Sequence, residues 1–405
     1  MGRGLRATGM DEPRRRVRLA LTLTLVFMAV AGLLALDLPP RRSGPPAAEA
    51  HHAPVEGFGA VTRGGEGRPE CVVRSLGDSG PHTLRECLSA GHRSVTFAVA
   101  GLIVLTSQLD VQGAHVTIDG FTAPWPGITL SGAGLNISDT GGEVHDVIVR
   151  GLRIRDAGRL SGGHRSGGKS STDCVGLYGA GVFNVVIDHV SIHNCADGGI
   201  DISSGPKNVT IQWSIVSTGK AMLWGSTSSS AARDTTRISL HHSVVMCDDE
   251  AHGCDRFPLI RASHRVLVAD LRQNVFGRWL RASGTRIEPA ASVNVVGNAY
   301  IPRADATFAQ RQQSLGVEPS TRVYTAANVE LGPPPRPDLN ENGNTRRPLP
   351  APAITQRPLG CVVRQAGMHP RDAVDERLTA YAAAVLTACN ETSTGFPPSP
   401  GRSDR

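Results

Sequence analysis

The chain has 405 residues, enough for one large domain or two ordinary ones, and its formal charge at pH 7 is +6. Eight arginines and four acidic residues lie in the first fifty positions, so the remaining body, with 34 basic and 32 acidic residues, carries only +2. A nearly neutral body gives no reason to expect nucleic acid as a partner.

An apolar run lies near the start of the chain. The segment Leu19–Leu36 is uncharged, follows four closely spaced arginines and ends at Asp37. It is long for the apolar part of a cleaved signal peptide and short for a membrane span of about 20 residues. Residues 1–36 are therefore either a signal peptide or a signal anchor, and residues 37–56, rich in Pro and Ala, are a linker. Both alternatives predict a secreted, extracellular protein, tethered to the cell membrane if the segment is retained.

Short β-branched runs recur through residues 57–330. The runs are Val116–Ile118, Val147–Val149, Val185–Ile187, Val209–Ile211, Ile238–Leu240, Val266–Val268 and Val293–Val295. No long amphipathic helix separates them, which argues against βαβ units. The pattern predicts an all-β solenoid, a parallel β-helix in which each coil buries aliphatic side chains and bonds to the next. A β-sandwich is the alternative, but the Asn-Gly and Asp-Gly turns typical of hairpins are scarce.

A solenoid needs caps at both ends. The segment Thr83–Leu88 predicts a short N-terminal cap helix. Residues 331–405 are rich in Pro and predict an irregular tail, with a short helix that begins near Pro370 and packs on the solenoid.

The eight cysteines fall into four couples that are close in sequence. The couples are Cys71/Cys87, Cys174/Cys195, Cys247/Cys254 and Cys361/Cys389. An even number of cysteines in an exported chain predicts disulfides, and pairing within each couple is the simplest of several possible connectivities. None of the couples has the spacing of a zinc finger.

Three aspartates are candidate metal ligands. Asp197 and Asp201 are four residues apart around two glycines, and Asp173 lies about one coil earlier. Residues one coil apart lie about 4.8 Å from each other, so the three carboxylates would cluster. Such a cluster is unfavourable without a cation and suits Ca²⁺, which prefers oxygen ligands. Taken alone, the pair Asp197 and Asp201 is better explained by turn chemistry, and Asp173 is better explained as a loop residue.

Three basic residues are candidate binders of an anionic substrate. Arg256 and Arg261 flank Pro258, and Lys220 precedes an apolar strand. Guanidinium groups bind carboxylates in a bidentate manner, although solvated surface charges explain the same residues. His189, directly after Asp188, is either a catalytic base or a structural histidine that bonds between coils.

Together these segments resemble the extracellular pectate lyases of polysaccharide lyase family 1, over about residues 57–300. The segments that carry the resemblance are Thr117–Gly120 with Thr122–Pro124, Ile187–His189, Asp197–Asp201, Lys220–Gly225 and Arg256–Arg261. Each motif is weak alone, but their order and separation are specific. Val186 stands where the family has tryptophan, and Ser171 stands where the family often has a further carboxylate.

The resemblance implies a right-handed parallel β-helix and calcium-dependent cleavage of polygalacturonate by β-elimination at C5, acting as a monomer. Asp173, Asp197 and Asp201 would bind calcium. Arg256 would remove the C5 proton, while Lys220 and Arg261 would bind the substrate. The alternatives are a calcium-independent pectin lyase, a galacturonan hydrolase with paired carboxylates, and a non-catalytic surface β-helix that binds acidic polysaccharide.

Overall fold

The structure, a computed structural model, describes residues 54–158, 173–225, 236–248, 254–262, 267–280, 284–303, 314–332 and 343–390, without the side chains of residues 236 and 387–390. The segment 1–36 and all but the last three residues of the linker 37–56 lie outside these ranges. Among the described helices, none combines the length and apolar character needed to cross a bilayer. The choice between signal peptide and anchor therefore stays a prediction.

Three parallel sheets, here called A, B and C, follow one another in each coil of the described chain. Sheet A contains β1 (Glu70–Val73), β2 (Arg93–Phe97), β5 (Val116–Asp119), β8 (Val144–Arg150), β11 (Val182–Asp188), β14 (Lys207–Gln212), β17 (Thr236–His241), β20 (Leu267–Arg272), β23 (Ala291–Val296) and β26 (Arg322–Ala326). Sheet B contains β3 (Gly101–Val104), β6 (Ile128–Ser131), β9 (Leu152–Arg155), β12 (Ser191–His193), β15 (Ile215–Ser217), β18 (Val244–Met246), β21 (Val275–Gly277), β24 (Ala299–Ile301) and β27 (Val329–Glu330). Sheet C contains β4 (Leu109–Val111), β7 (Leu135–Ser138), β10 (Val175–Tyr178), β13 (Ile200–Ser203), β16 (Leu223–Trp224), β19 (Leu259–Ile260), β22 (Thr285–Ile287) and β25 (Leu315–Val317). The predicted right-handed parallel β-helix is confirmed.

The core is the inside of the solenoid, where side chains of like kind stack from coil to coil. In sheet A, Val185 pairs with Val147 on one side and with Val209 on the other, and all three are fully buried. β-Branched residues suit this position because their stiff side chains pack well on a pleated surface. Burial of each such side chain stabilises the fold by about 1.5–3 kcal/mol.

One predicted run is out of register. Ile238 pairs with Ala269, and Ala269 pairs with Val293, so the aligned triplet is 269–271 rather than the predicted Val266–Val268. The middle residue of the true triplet is Asp270, which is fully buried and accepts a hydrogen bond from Nε of Arg272 at 2.7 Å. Asp270 interrupts the apolar run, so the hydrophobic pattern predicted the wrong register for this strand.

Buried asparagines form a ladder at the turn from sheet A to sheet B. Asn274, Asn298 and Asn328 each lie two residues after a strand of sheet A and are fully buried. Oδ1 of Asn298 accepts from the main-chain N–H of Asn274 at 2.9 Å, and its amide donates to the carbonyl of Leu271 at 3.0 Å. Buried main-chain groups need hydrogen-bond partners. The asparagine side chains supply these partners at a buried turn.

Replacement of the central ladder residue, Asn298→Leu, is expected to lower the free energy of unfolding by at least about 3 kcal/mol. The leucine fills the space but leaves several buried groups unpaired, and each costs about 1–3 kcal/mol. Urea denaturation measures the change. Asn344→Leu is the control, since Asn344 also makes two hydrogen bonds but is exposed, so water can replace them. Equal stability of Asn298→Leu and the wild type would contradict the role of the ladder.

Helices cover one end and one face of the solenoid. The predicted N-terminal cap is helix α1 (Leu84–Leu88), whose first turn is capped by the side chain of Thr83. The tail holds more helix than predicted, in α2 (Leu359–Gln365) and α3 (Ala373–Asn390). Both pack on the outer face of sheet B, where a second apolar cluster includes Val244, Val275, Val363, Leu378 and Ala382. An outward apolar stripe on sheet B explains why the tail folds back onto it.

Three of the predicted disulfides are present, namely Cys71–Cys87, Cys174–Cys195 and Cys247–Cys254. Cys361 forms no disulfide with any described side chain. The side chain of its predicted partner, Cys389, lies outside the described part of the chain, so this pairing stays a prediction.

Candidate active site

The candidate site residues meet at the turn from sheet B to sheet C. Isolated parallel bridges join Gly198 to Lys220 and Lys220 to Asp255, so these three residues occupy equivalent places in successive coils. The main-chain N–H of Met222 donates to the carbonyl of Arg256 at 2.9 Å and extends this register to the arginine. The motifs that contain Asp197, Lys220 and Arg256 are therefore neighbours in space, although 59 residues of sequence separate the first from the last.

Asp173 and Asp201 extend the cluster onto sheet C. Asp173 lies just before β10, and Asp201 lies in β13, which pairs with β10. Oδ1 of Asp173 accepts the main-chain N–H of Gly198 at 2.6 Å, and Oδ1 of Asp201 accepts that of Leu223 at 2.8 Å. The two residues are only 6% and 7% exposed. The main chain thus holds two nearly buried carboxylates in fixed positions.

The pKa of Asp201 is shifted by burial and by the charged groups that lie near it. Burial raises the pKa of the Asp201 carboxyl well above its ordinary range, and the neighbouring charges of Asp173 and Asp197 raise it further. The amide of Leu223 and the guanidinium of Arg256 oppose this rise in pKa. Two buried carboxylates side by side are unfavourable unless a proton or a cation neutralises them. The site therefore has the charge of a cation-binding site.

An ammonium group already lies against the third aspartate. Nζ of Lys220 is 2.5 Å from Oδ1 of Asp197, and the two side chains are 40% and 42% exposed. An exposed ion pair contributes only about 0–1 kcal/mol, so it does not oppose strongly the arrival of a divalent ion or an anionic ligand.

Gly198 leaves a space that oxygens of Asp173 and Asp201 border. Asp173, Asp197 and Asp201 are not among the described groups of three whose ligand atoms all lie within 4.8 Å of one another. A Cβ added at Gly198 would lie 2.4 Å from Oδ1 of Asp201 and 2.8 Å from Oδ1 of Asp173. Any side chain there would fill the volume that both oxygens reach. An all-oxygen set around a small polar space fits Ca²⁺, which accepts six to eight oxygen ligands in flexible geometry.

Both candidate arginines are half-buried. Nε of Arg256 lies 3.7 Å from Oδ1 of Asp255, and its side chain is 23% exposed. Arg261 follows β19, and its main-chain N–H donates to the carbonyl of Trp224 at 2.9 Å. Strand alternation places Arg261 on the same outer face of sheet C as Asp201. Its Nε is buried and has no hydrogen-bond partner among the described residues.

Tyr178 belongs to this site and was missed in the sequence. Its hydroxyl donates a hydrogen bond to Oδ2 of Asp173, and its ring lies over Gly176, where an added Cβ would meet the ring at 2.3 Å. The signal available in the sequence was its outward position in β10, two residues after a glycine. The predicted Cys174–Cys195 disulfide joins the residue after Asp173 to a residue two positions before Asp197.

His189 lies elsewhere, at the turn from sheet A to sheet B. Its Nδ1 is 2.7 Å from Oδ1 of Asp188, which also accepts from Nε2 of Gln212 at 3.2 Å. Its ring stacks on Trp213. Of the two alternatives, the structural histidine between coils is the one that the geometry supports.

Comparison with known proteins gives one consistent class of relatives. The chain matches no protein-family model. It is 31% identical over 276 residues to "Probable pectate lyase C" of Aspergillus flavus, covering 67% of this chain and 59% of that protein. The protein of the same name from Emericella nidulans is 41% identical over 165 residues, covering 41% of this chain and 36% of that protein. The chain thus spans less than two thirds of the length of these curated relatives.

Solved structures show the same fold. The cedar pollen allergen jun a 1 superposes with a TM-score of 0.54 at 20% identity, covering 78% of this chain and 92% of the allergen. The pectate lyase of Bacillus sp. N165, crystallised with trigalacturonate, gives 0.53 at 16% identity, covering 78% and 98% of the two chains. The resemblance to pectate lyases is confirmed by the relatives in sequence and by the fold.

Proposed function

We propose that this chain, a homologue of curated probable pectate lyases, is a calcium-dependent lyase that cleaves polygalacturonate by β-elimination at C5. The products would be unsaturated oligogalacturonides. The observation that supports this most is that the charges of Asp173, Asp197 and Arg256 all act on the ionisation of Asp201.

The calcium ligands would be Asp173, Asp197 and Asp201. When bound, calcium would neutralise the uronate carboxylate next to C5 and so make the C5 proton more acidic. Lys220 would leave Asp197 and pair with a substrate carboxylate, since its bond to Asp197 is exposed and weak. Arg261 would bind a second carboxylate in a bidentate manner.

Arg256 would remove the C5 proton. An isolated guanidinium has a pKa above about 12 and is a poor base. Alkaline solution would favour the neutral guanidine group that a base requires. As the proton leaves C5, the electron pair forms the C4–C5 double bond and the glycosidic oxygen departs from C4. Fixed positive charge around the developing negative charge is the main source of rate enhancement in such a site.

We also propose that the protein acts outside the cell as a monomer. The disulfides Cys71–Cys87, Cys174–Cys195 and Cys247–Cys254 suit an oxidising compartment. The apolar run Leu19–Leu36 supports export, whether as a cleaved signal peptide or as a tether.

The test is the ultraviolet absorbance of the unsaturated product formed from polygalacturonate, with and without added calcium. We expect absorbance to rise only with calcium and to stop after EDTA. Activity on methylated pectin that survives EDTA would indicate the pectin lyase alternative. Release of reducing ends without absorbance would indicate a hydrolase, and binding without either product would indicate a non-catalytic protein.

Tyr178→Phe is expected to weaken calcium binding by about 10–100-fold, because loss of an outer-shell partner typically costs this much in metal affinity. The ring is kept, and only the hydrogen bond to Asp173 is lost. Calorimetric titration of calcium without substrate measures the affinity. At saturating calcium, turnover should recover. Tyr324→Phe is the control, because Tyr324 is also half-buried but lies on sheet A, away from Asp173. An equal effect of both variants on calcium affinity would contradict a specific role for Tyr178.

A further inference from the structure

Histidines from successive coils lie next to one another at the turn from sheet C to sheet A, with tilted or edge-on rings. The ring centroids of His92 and His115 are 5.2 Å apart, and those of His115 and His145 are 5.1 Å apart. The ring of His145 lies flat on Phe183, with centroids 4.5 Å apart and an angle of 6° between the planes. Stacking on Phe183 limits the rotation of His145. This turn is different from the one between sheets B and C that holds the candidate active site.

A carboxylate completes the group. Oδ2 of Asp146 lies 2.8 Å from Nδ1 of His145, and the two side chains are 12% and 24% exposed. Oδ1 of Asp146 accepts the main-chain N–H of Arg63 at 3.1 Å. Asp146 is therefore fixed from two sides, while the imidazole edge of His145 remains open to solvent.

The donor atoms of three of these residues converge. One possible ligand atom from each of His115, His145 and Asp146 lies within 4.8 Å of the other two. Two imidazoles and one carboxylate are the ligands of Zn²⁺, Co²⁺, Ni²⁺ and Cu²⁺, whereas calcium prefers a set made of oxygens alone. Three protein ligands at a partly exposed turn leave coordination positions for water.

We propose that His115, His145 and Asp146 bind a divalent transition metal ion of the zinc type, at a site separate from the candidate calcium site. The ion would replace the hydrogen bond between His145 and Asp146, and the imidazole of His145 would keep one N–H, on the ring nitrogen that does not bind the ion. Because Asp146 also holds the main chain at Arg63, the ion would fasten the N-terminal segment to two coils of the solenoid. The site would stabilise the fold, and it does not rest on the proposed lyase activity.

The experiment titrates tag-free, chelator-treated protein with Zn²⁺ by calorimetry and with Co²⁺ by visible absorption. We expect Zn²⁺ binding at micromolar or better affinity, a Co²⁺ spectrum typical of nitrogen and oxygen ligands, and a higher melting temperature with Zn²⁺. Excess Ca²⁺ should not compete. Absence of Zn²⁺ binding by the wild-type protein would overturn the proposal.

Three variants assign the site. His115→Gln with His145→Gln should weaken Zn²⁺ binding by at least about 100-fold, more than the loss of an outer-shell partner costs. Asp146→Asn keeps the size of the side chain and should also weaken Zn²⁺ binding. It therefore tests the site even if the double variant does not fold. His193→Gln is the matched control, because His193 also pairs with an aspartate, Asp248, at 3.4 Å and with similar exposure. Loss of Zn²⁺ binding in His193→Gln, or its retention in the other two, would refute the assignment.

Discussion

Arg256→Lys is expected to lower turnover on polygalacturonate by about 10²–10⁴-fold, the contribution typical of a positioned general base. Lysine keeps the positive charge that acts on Asp201, so the acidic cluster should retain its calcium. It lacks the length and the planar fork of the guanidinium, and so cannot take the C5 proton in the same geometry. The product absorbance assay at saturating calcium measures turnover, and calorimetry with a galacturonate oligomer measures binding.

The control for this substitution is Arg237→Lys. Arg237 also has a left-handed backbone, with φ of 62° against 65° for Arg256, but it lies on sheet A and is exposed. It should retain full turnover. An Arg256→Lys protein that turns over at the wild-type rate, or one that loses binding together with turnover, would exclude Arg256 as the base.

The pH profile tests the same assignment without a mutation. Because Arg256 must be neutral to accept the proton, and its ordinary pKa is above about 12, the rate should rise with pH into the alkaline range. Initial rates measured at constant calcium and ionic strength give the profile. A maximum at acidic pH would point to a carboxylate or a histidine as the base.

The sequence predicted sheet A better than the other two sheets. Strands of sheet A have four to seven residues and carry stacked aliphatic residues such as Val147, Val185 and Val209, so the alternation is visible. Strands of sheets B and C have two to four residues, which is too short for a periodic signal. The amount of helix in the tail was underestimated. The apolar residues of α2 and α3 pack on the outer face of sheet B, and the sequence pattern does not show that this face is apolar.

For the candidate site too, some features could be predicted from the sequence and others could not. The coil spacing predicted that Asp173 approaches Asp197 and Asp201, whereas only the resemblance implied that Lys220 and Arg256 join this site; the structure places Gly198, Lys220 and Asp255 at the same turn of successive coils. The contact of Tyr178 with Asp173 depends on the direction of the tyrosine side chain, whose ring lies over Gly176. The spacing of residues in the sequence does not predict this direction. The ion pair of Lys220 with Asp197 was missed for a similar reason, since each residue had been assigned a different ligand.

Asp201→Asn is expected to have opposite effects on calcium binding and on stability. Loss of a ligand should weaken calcium binding by at least about 100-fold, beyond the cost of a changed outer-shell partner. Stability without calcium should increase, because the variant removes a nearly buried charge next to Asp173 while its amide oxygen can still accept the N–H of Leu223. Thermal unfolding with EDTA and with calcium measures both effects.

The pH dependence of stability follows from the same carboxyl. The pKa of Asp201 is raised in the folded protein, so the folded state binds this proton more tightly than the unfolded state does. Without calcium, the wild-type protein should therefore lose stability as pH rises through that raised pKa, and Asp201→Asn should lose less. Asp197→Asn is the control, since its partly exposed carboxylate pairs with Lys220 and its removal should weaken calcium binding without the gain in stability. If Asp201→Asn binds calcium as tightly as the wild-type protein, the cluster is not the metal site.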